Sequence, residues 1–394
     1  MDFNFTPEEE AFRTELRTWL EDNIPEGYDP KEFDVIDEDA RFDYQRDWQG
    51  TASKDRWVGI HWPEEYGGRG ASLMEMFIFN QEMQRAHAPR FANTLGLMMS
   101  GPTLIHWGTD EQKERYLQKI LSGEEIWCEG LSEPNAGSDL ASMQTRAVED
   151  GDYYVVNGQK VWTSYAHRAD FIQLFVRTDP DAPKHRGISC LAVDMTTPGI
   201  TVRPLVQITG DAEFNEVFFE DVRIPKNCLI GPRNEGWKVL VTTLMHERAG
   251  IGSGLPVHRH FSELIKLTKE VEIDGRPACE DPAVRQTLAQ FAIECKAITY
   301  NMFRSFSARL KGNPPGPEGS INKLVGSDLN MRLAMFATEL LGPYAQVTQG
   351  SSFSKDNGRW PRAALWYRLL TIGGGTSEIQ KGIIGDRILK LPKG

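Results

Sequence analysis

The chain has 394 residues, of which 40% are hydrophobic, so it is long enough for two or three domains with sizeable cores. Lys and Arg total 44 against 56 Asp and Glu, and the net charge of -12 comes without a basic run interleaved with aromatic residues. This pattern excludes a nucleic-acid-binding protein. The N-terminus lacks a basic region followed by an apolar one, and no stretch of about 18 apolar residues follows. We therefore expect a soluble, cytoplasmic protein without a membrane partner.

The five cysteines are widely spaced, and none belongs to a Cys-x-x-Cys pair. Such spacing indicates neither a disulfide framework nor a zinc site. We expect reduced, mostly buried thiols and no bound metal.

The N-terminal segment, residues 1–125, is predicted to be a helical domain. Thr6-Pro7-Glu8-Glu9 combines an N-cap candidate, a proline at the first helical position and a glutamate three residues after the cap. Thr109 and Gln112 form a second candidate capping box before a further apolar run. Between them, apolar residues recur at helical spacing, namely Leu73, Met76, Phe77 and Met83.

The middle segment, residues 126–235, is predicted to be a β domain, because short β-rich runs replace the helical period. Four such runs are separated by turn-forming residues, at 171–176, 188–193, 200–202 and 217–219. Asn157-Gly158, between the apolar runs 153–156 and 160–162, predicts a tight hairpin.

The C-terminal segment, residues 236–394, returns to the helical period. Polar segments containing Gly and Pro interrupt it at 273–277 and 312–319. The predicted order is therefore helical, β, helical.

Three motifs point to a known family. Residues 131–139 read Leu-Ser-Glu-Pro-Asn-Ala-Gly-Ser-Asp, residues 157–164 read Asn-Gly-Gln-Lys-Val-Trp-Thr-Ser, and residues 373–380 read Gly-Gly-Gly-Thr-Ser-Glu-Ile-Gln. They resemble the two signatures and the C-terminal loop of acyl-CoA dehydrogenases, and residues 62–68 and 106–112 also resemble family segments. The resemblance spans nearly the whole chain. It implies an α+β multidomain fold with N-terminal helices, a middle β-barrel and a C-terminal four-helix bundle that mediates oligomerisation.

The resemblance also implies FAD as cofactor and an acyl-CoA thioester as substrate. Flavin contacts are expected from Leu131, Ser132, Gly137, Ser138, Trp162, Ser164, Thr376 and Glu378. In the family pattern Ser132 faces the flavin pyrimidine, Trp162 packs on the ring, and Ser164 bonds near its reactive nitrogen. Alone, Trp162 would more often be a core residue and the serines turn or cap residues. Substrate contacts are expected from Ser138, Arg248 and Gly374.

The reaction implied by the resemblance is α,β-dehydrogenation, which needs a carboxylate base. Many family members place a glutamate in the C-terminal loop, two residues before the threonine, where this chain has Gly374. A subset supplies the base from a helix in a Leu-x-x-Glu-Arg context, which here is Leu244-Met245-His246-Glu247-Arg248. Glu247 is therefore the predicted base, against the alternative of a solvated Glu-Arg pair on a helix surface.

A second departure concerns oligomerisation. Homo-oligomeric members carry Arg-x-x-Phe-Gly, whose arginine reaches the FAD pyrophosphate of a neighbouring subunit. Aligning Gly275 with that glycine puts Val271 at the arginine and Asp274 at the phenylalanine, and the adjoining flavin motif at residues 339–343 also departs from the pattern. This loss resembles bacterial α2β2 enzymes acting on steroid side-chain CoA thioesters, in which a homologous chain supplies the arginine.

The resemblance implies an electron-transfer flavoprotein as the acceptor of electrons from the reduced flavin. Two alternatives stay open: an oxidase that passes electrons to oxygen, and a non-catalytic subunit that only completes a partner's site. The second would be marked by loss of Glu247 and of the set Ser132, Trp162 and Ser164, all of which are present.

Overall fold

A computed structural model describes residues 5–29, 37–251, 255–313, 316–347 and 349–392, with side chains described for all of these except 247–251 and 255–256. The chain forms two compact units. The first comprises Met1–Val206 and Ala212–His246, and the second comprises Gln207–Asp211 and Glu247–Gly394.

The first unit begins with helices, as the sequence predicts. Their bounds are α1 Pro7–Asn23, α2 Glu38–Lys54, α3 Leu73–Arg85, α4 Gly101–Trp107 and α5 Asp110–Ser122. Both predicted capping boxes are confirmed: Thr6 caps α1 with Glu9, and Thr109 caps α5 with Gln112. A third box at Ser72, before α3, was not predicted.

The β domain follows as a single eight-stranded sheet with the order β6-β7-β3-β2-β4-β5-β8, in which β1 runs parallel to β4. The bounds are β1 Trp127–Gly130, β2 Arg146–Asp150, β3 Tyr153–Ser164, β4 Phe171–Arg177, β5 Ile188–Asp194, β6 Ile200–Leu205, β7 Phe214–Pro225 and β8 Leu229–Ile230. All four β-rich runs named above lie in strands. The central strands β4 and β5 are buried along almost their whole length, which explains their continuous apolar sequence.

The predicted hairpin at Asn157-Gly158 is wrong. Both residues lie inside β3, at a β-bulge where its register against β7 shifts between Val156 and Gly158. The hairpin turn lies earlier, at Gly151 and Asp152, between β2 and β3. Gly158 is required for close approach instead, because a Cβ there would lie 2.6 Å from Thr145 Cα. Asn-Gly suits turns and bulges alike, and only the pairing of β3 with two neighbours decides between them.

The second unit is built mainly from helices. Their bounds are α6 Gly236–Ile251, which begins in the first unit, α7 Leu255–Glu270, α8 Pro282–Leu310, α9 Gly319–Leu341, α10 Arg359–Trp366 and α11 Ser377–Ile383. Leu264, Phe291 and Leu333, from α7, α8 and α9, are buried in one core. Each such side chain contributes roughly 1.5–3 kcal/mol through burial. Within the described ranges, no helix combines the length and apolar character needed to cross a bilayer.

All five cysteines are free thiols. Cys128, Cys190 and Cys295 are buried, as expected, whereas Cys228 and Cys279 are half-buried. Burial raises the pKa of the Cys128 and Cys190 thiols well above its ordinary value. These two thiols therefore stay protonated and unreactive at neutral pH.

The close contact at Gly158 gives a stability prediction. Gly158→Ala should lower the thermal unfolding midpoint, because the new methyl group overpacks against Thr145 at a typical cost of about 1–3 kcal/mol. Gly151→Ala is the matched control, since Gly151 also has a positive φ, of 58°, but a Cβ there meets nothing within 4 Å. Thermal unfolding followed by circular dichroism checks this, and equal shifts for both variants would contradict it.

Candidate functional site

Trp162 projects from β3 at a second irregularity. The register of β3 against β7 shifts between Lys160 and Thr163, and Trp162 adopts a left-handed backbone with φ of 60°. Its side chain is 60% exposed and contacts Phe214 only edge-on, with ring centroids 6.1 Å apart. A left-handed backbone at a bulky residue costs about 1–2 kcal/mol. The strained backbone at this position therefore places a flat aromatic surface outside the sheet.

The first signature lies beside this part of β3. Val161 N–H donates to Ser132 O at 2.9 Å, which brings the first signature beside β3. Within the ranges described above, Thr163 Oγ1 is buried and has no hydrogen-bond partner. Thr163 is thus buried on the side of β3 away from the exposed indole of Trp162.

A buried ion pair that was not predicted from the sequence joins the two signatures. Lys160 is 0% exposed and Glu133 is 8% exposed, and Lys160 Nζ lies 2.8 Å from Glu133 Oε1. The ammonium also donates to Leu131 O at 3.1 Å, while Glu133 accepts the N–H groups of Gln144 and Thr145 at 2.6 and 2.9 Å. A signal was available, since Lys160 shares the inward-facing parity of Tyr154 and Val156 in β3.

The electrostatics of this pair follow from burial. Burial lowers the pKa of Lys160 to about 8, and the nearby Glu133 carboxylate opposes that effect only in part. Burial works to raise the pKa of Glu133, but the Lys160 ammonium and the hydrogen bonds to the carboxylate hold that pKa below its ordinary value. The pair is therefore ionised at neutral pH.

Gly137 and Ser138 lie on an exposed part of the first signature. A Cβ on Gly137 would meet nothing within 4 Å, so packing within this unit does not require a glycine there. The neighbouring Asp139 anchors the loop by accepting hydrogen bonds from Lys184 Nζ, at 2.9 and 3.0 Å, and from Ser142 Oγ, at 2.6 Å. The loop is thus exposed but tethered.

The glycine loop of the second unit is held by two side chains. Gly374 and Gly375 have φ of 63° and 89°. Lys323 Nζ donates to Leu370 O at 2.8 Å and to Gly375 O at 2.6 Å, and Gln380 Nε2 donates to Gly374 O at 3.1 Å. In a trans peptide the C=O and N–H groups point in opposite directions. The N–H groups of Gly375 and Thr376, which follow these two carbonyls, therefore face away from Lys323 and Gln380.

Thr376 and Glu378 have local structural roles that were not predicted from the sequence. Thr376 Oγ1 caps α11 by accepting the N–H of Ile379 at 3.2 Å. Glu378 lies exposed in the first turn, where hydrogen bonds from its own N–H and from Thr376 lower the pKa of its carboxyl group. Their assignment to flavin binding stays a prediction.

Glu247 and Arg248 lie on α6, within Gly236–Ile251. Their side chains are outside the described residues. The roles of base and of substrate contact for these two residues therefore stay predictions.

Most of the chain matches three domain models of one family. Residues 6–124 match the acyl-CoA dehydrogenase N-terminal domain, residues 128–222 the middle domain, and residues 234–389 the C-terminal domain. The chain belongs to the acyl-CoA dehydrogenase family and is an acyl-CoA dehydrogenase.

Individual relatives agree with this membership. The acyl-CoA dehydrogenase IpdE1 of Mycobacterium tuberculosis is 36% identical, with 98% of each chain covered. A chain of the ChsE4-ChsE5 complex from Mycobacterium tuberculosis superposes with a TM-score of 0.85 at 34% identity, and one of the Tcur3481-Tcur3483 steroid ACAD with 0.86 at 31% identity. Both structural matches cover 100% of each chain.

FAD is the cofactor of this family, and the residues described above fit it. The exposed Trp162 offers a flat apolar face of the kind that packs on a flavin ring. Ser164, half-buried and two residues further along β3, offers a hydroxyl group for the same ligand.

The exposure of Trp162 predicts that cofactor binding and folding respond differently to its loss. Trp162→Ala should weaken FAD binding about tenfold or more, because a buried aromatic surface is worth about 1.5–3 kcal/mol. The unfolding midpoint without FAD should change little, since the indole packs only loosely in the protein. Tyr153→Ala, at the other end of the same strand, is the matched control and should retain FAD. Flavin content after extensive dialysis checks this prediction, measured in the assembly in which the wild type holds FAD. Full retention of FAD by Trp162→Ala would contradict it.

Proposed function

We propose that this acyl-CoA dehydrogenase uses Glu247 as its base and acts on a bulky steroid side-chain CoA thioester. Two features of the sequence carry the proposal. Gly374 stands at the loop position where many family members have the base, and Glu247 lies in the Leu-x-x-Glu-Arg context of α6. Without Glu247, neither position known for the base in the family would carry a carboxylate. The steroid substrate is supported by the similarity to the Tcur3481-Tcur3483 steroid ACAD.

The proposed mechanism divides the work among a few residues. Bound FAD supplies a hydride acceptor for the β-carbon of the substrate. The carboxylate of Glu247 accepts the proton from the α-carbon of the substrate. The N–H groups of the glycine loop, whose carbonyls are held by Lys323 and Gln380, stabilise the negative charge that develops on the thioester oxygen. Trp162, whose indole is exposed, would pack against the ring of bound FAD.

The base assignment predicts a loss of chemistry without a loss of cofactor. Glu247→Gln keeps the size of the side chain and its hydrogen bonding but cannot accept a proton, so flavin reduction by substrate should slow about 10²- to 10⁴-fold. Glu235→Gln, which alters a partly exposed carboxylate paired with Lys238, is the matched control and should reduce flavin at the wild-type rate. Stopped-flow absorbance of the flavin measures both rates. Near wild-type reduction in Glu247→Gln would show that another group is the base.

We also propose that the chain works in an α2β2 assembly whose homologous partner supplies an arginine to the FAD pyrophosphate. At the position of the family arginine, Val271 follows α7, and Asp274 and Gly275 form the turn of a short hairpin with φ of 53° and 75°. A hydrophobic residue is a poor substitute for a phosphate-binding guanidinium. The similarity to the ChsE4-ChsE5 complex and to Tcur3481-Tcur3483 supports a hetero-oligomer.

The missing arginine predicts weak FAD binding by the isolated chain. One charge-assisted contact is worth about 1.5–3 kcal/mol, so its absence should lower FAD affinity roughly ten- to a hundredfold. Co-expressed with a homologous chain that carries the arginine, the protein should form a hetero-oligomer holding about one FAD per pair of chains, and activity should appear only then. Size-exclusion chromatography with flavin quantitation measures this.

A homo-oligomer with one FAD per subunit and full turnover would contradict the assembly proposal. In that case Arg276, exposed on the same short hairpin, is the first residue to test for the pyrophosphate contact, by Arg276→Ala. The same preparation separates the proposed electron acceptor from the oxidase alternative. An enzyme that uses an electron-transfer flavoprotein should stay reduced in air after substrate addition, whereas an oxidase should reoxidise rapidly.

A further inference from the structure

The Glu133–Lys160 pair connects the two flavin-facing segments of the first unit through several contacts. Lys160 Nζ binds both Glu133 Oε1 and Leu131 O, at 2.8 and 3.1 Å. The adjacent Val161 N–H binds Ser132 O at 2.9 Å. Three consecutive residues of the first signature are thus attached to two consecutive residues of β3.

The other end of the pair fixes the chain that follows. Glu133 Oε2 and Oε1 accept the N–H groups of Gln144 and Thr145, just before β2. The backbone of Glu133 also pairs with that of Ala136 in both directions at 3.0 Å, which closes a tight turn. The start of the first signature is therefore held by Lys160, and the turn that follows is closed by the backbone of Glu133 and Ala136.

Stability alone does not account for such a pair. A fully buried ammonium loses its hydration, and a buried ion pair often contributes no more to stability than well-packed apolar side chains would. What the pair does provide is a fixed register, because its hydrogen bonds are directional and apolar contacts are not.

We propose that Lys160 is a positioning residue for the flavin, which uses its contacts to Glu133 and Leu131 to hold the backbone of Leu131 and Ser132 in register with Trp162 and Ser164. The inference rests on the proposed placement of FAD against those residues. It assigns to Lys160 no contact with substrate and no part in proton transfer.

The proposal separates two effects of removing Lys160. Lys160→Met leaves the Glu133 carboxylate buried without its ammonium, so the fold and FAD binding should both weaken. The double variant Glu133→Gln/Lys160→Met no longer buries a carboxylate without its ammonium, and Arg177 keeps its hydrogen bonds to the backbone carbonyls of Arg186 and Ala141, so the unfolding midpoint should recover towards the wild-type value. The contact to Leu131 O is still absent in the double variant, so FAD affinity should stay about tenfold or more below wild type.

The pH dependence of FAD binding provides a readout that a purely structural role would not change. The groups that face the ammonium are the Glu133 carboxylate, the Arg177 guanidinium and the Met143 thioether. Lys160 has a pKa of about 8, and its protonated form makes the stronger hydrogen bond to Leu131 O. FAD affinity of the wild type should therefore fall as the pH rises through about 8, whereas that of the double variant should be flat over the same range.

The experiment is a FAD titration by flavin fluorescence from pH 6.5 to 9.5, in the assembly in which the wild type holds FAD, with thermal unfolding of each variant alongside. Lys226→Met, which removes an exposed ion pair with Glu149 in the same sheet, is the control and should bind FAD as the wild type does. Recovery of both stability and FAD affinity in the double variant would overturn the proposal. So would a pH-independent affinity of the folded wild type, a result that requires no variant. A wild type that binds FAD but is not reduced by substrate would count against the proposed function and leave this titration readable.

Discussion

The buried ion pair between Lys160 and Glu133 is the interaction on which the arrangement of the two signatures depends. The contacts of Lys160 to Glu133 and Leu131 join residues of the two signatures that are 27 and 29 positions apart in the sequence. Around this point the sheet supplies a rigid frame, in which β3 is paired on both sides, with β2 and β7. The strain at Trp162 can persist because that frame determines the path of the strand.

In each of the two units, a lysine side chain donates hydrogen bonds to backbone carbonyl groups of a loop. Lys160 binds Leu131 O in the first unit, and Lys323 binds Leu370 O and Gly375 O in the second. In each case an ammonium group holds carbonyl oxygens of a loop that belongs to a family motif. Lysine suits this task, because three donors on a flexible stem can satisfy several acceptors at once.

The departures at Gly374 and Val271 concern different parts of the catalytic machinery. The first moves the proposed base from a loop to α6, which changes where a carboxylate stands but keeps the chemistry within one chain. The second places Val271 where the family pattern has a phosphate-binding arginine, and in the proposed assembly a homologous chain supplies that contact. One substitution therefore bears on mechanism and the other on assembly.

The sequence by itself determined the order of helical and β segments, two helix N-termini, the family, and the residues proposed for flavin and substrate. These features depend on local periodicity, capping chemistry and motif matching. Tertiary structure alone decided that Asn157-Gly158 forms a bulge, since the choice depends on the close approach of Thr145 to Gly158. It also decided that Lys160 pairs with Glu133 and that Lys323 holds the glycine loop. A lysine reads as a surface residue in a sequence, and only the folded chain shows which acceptors surround its ammonium group and exclude water from it.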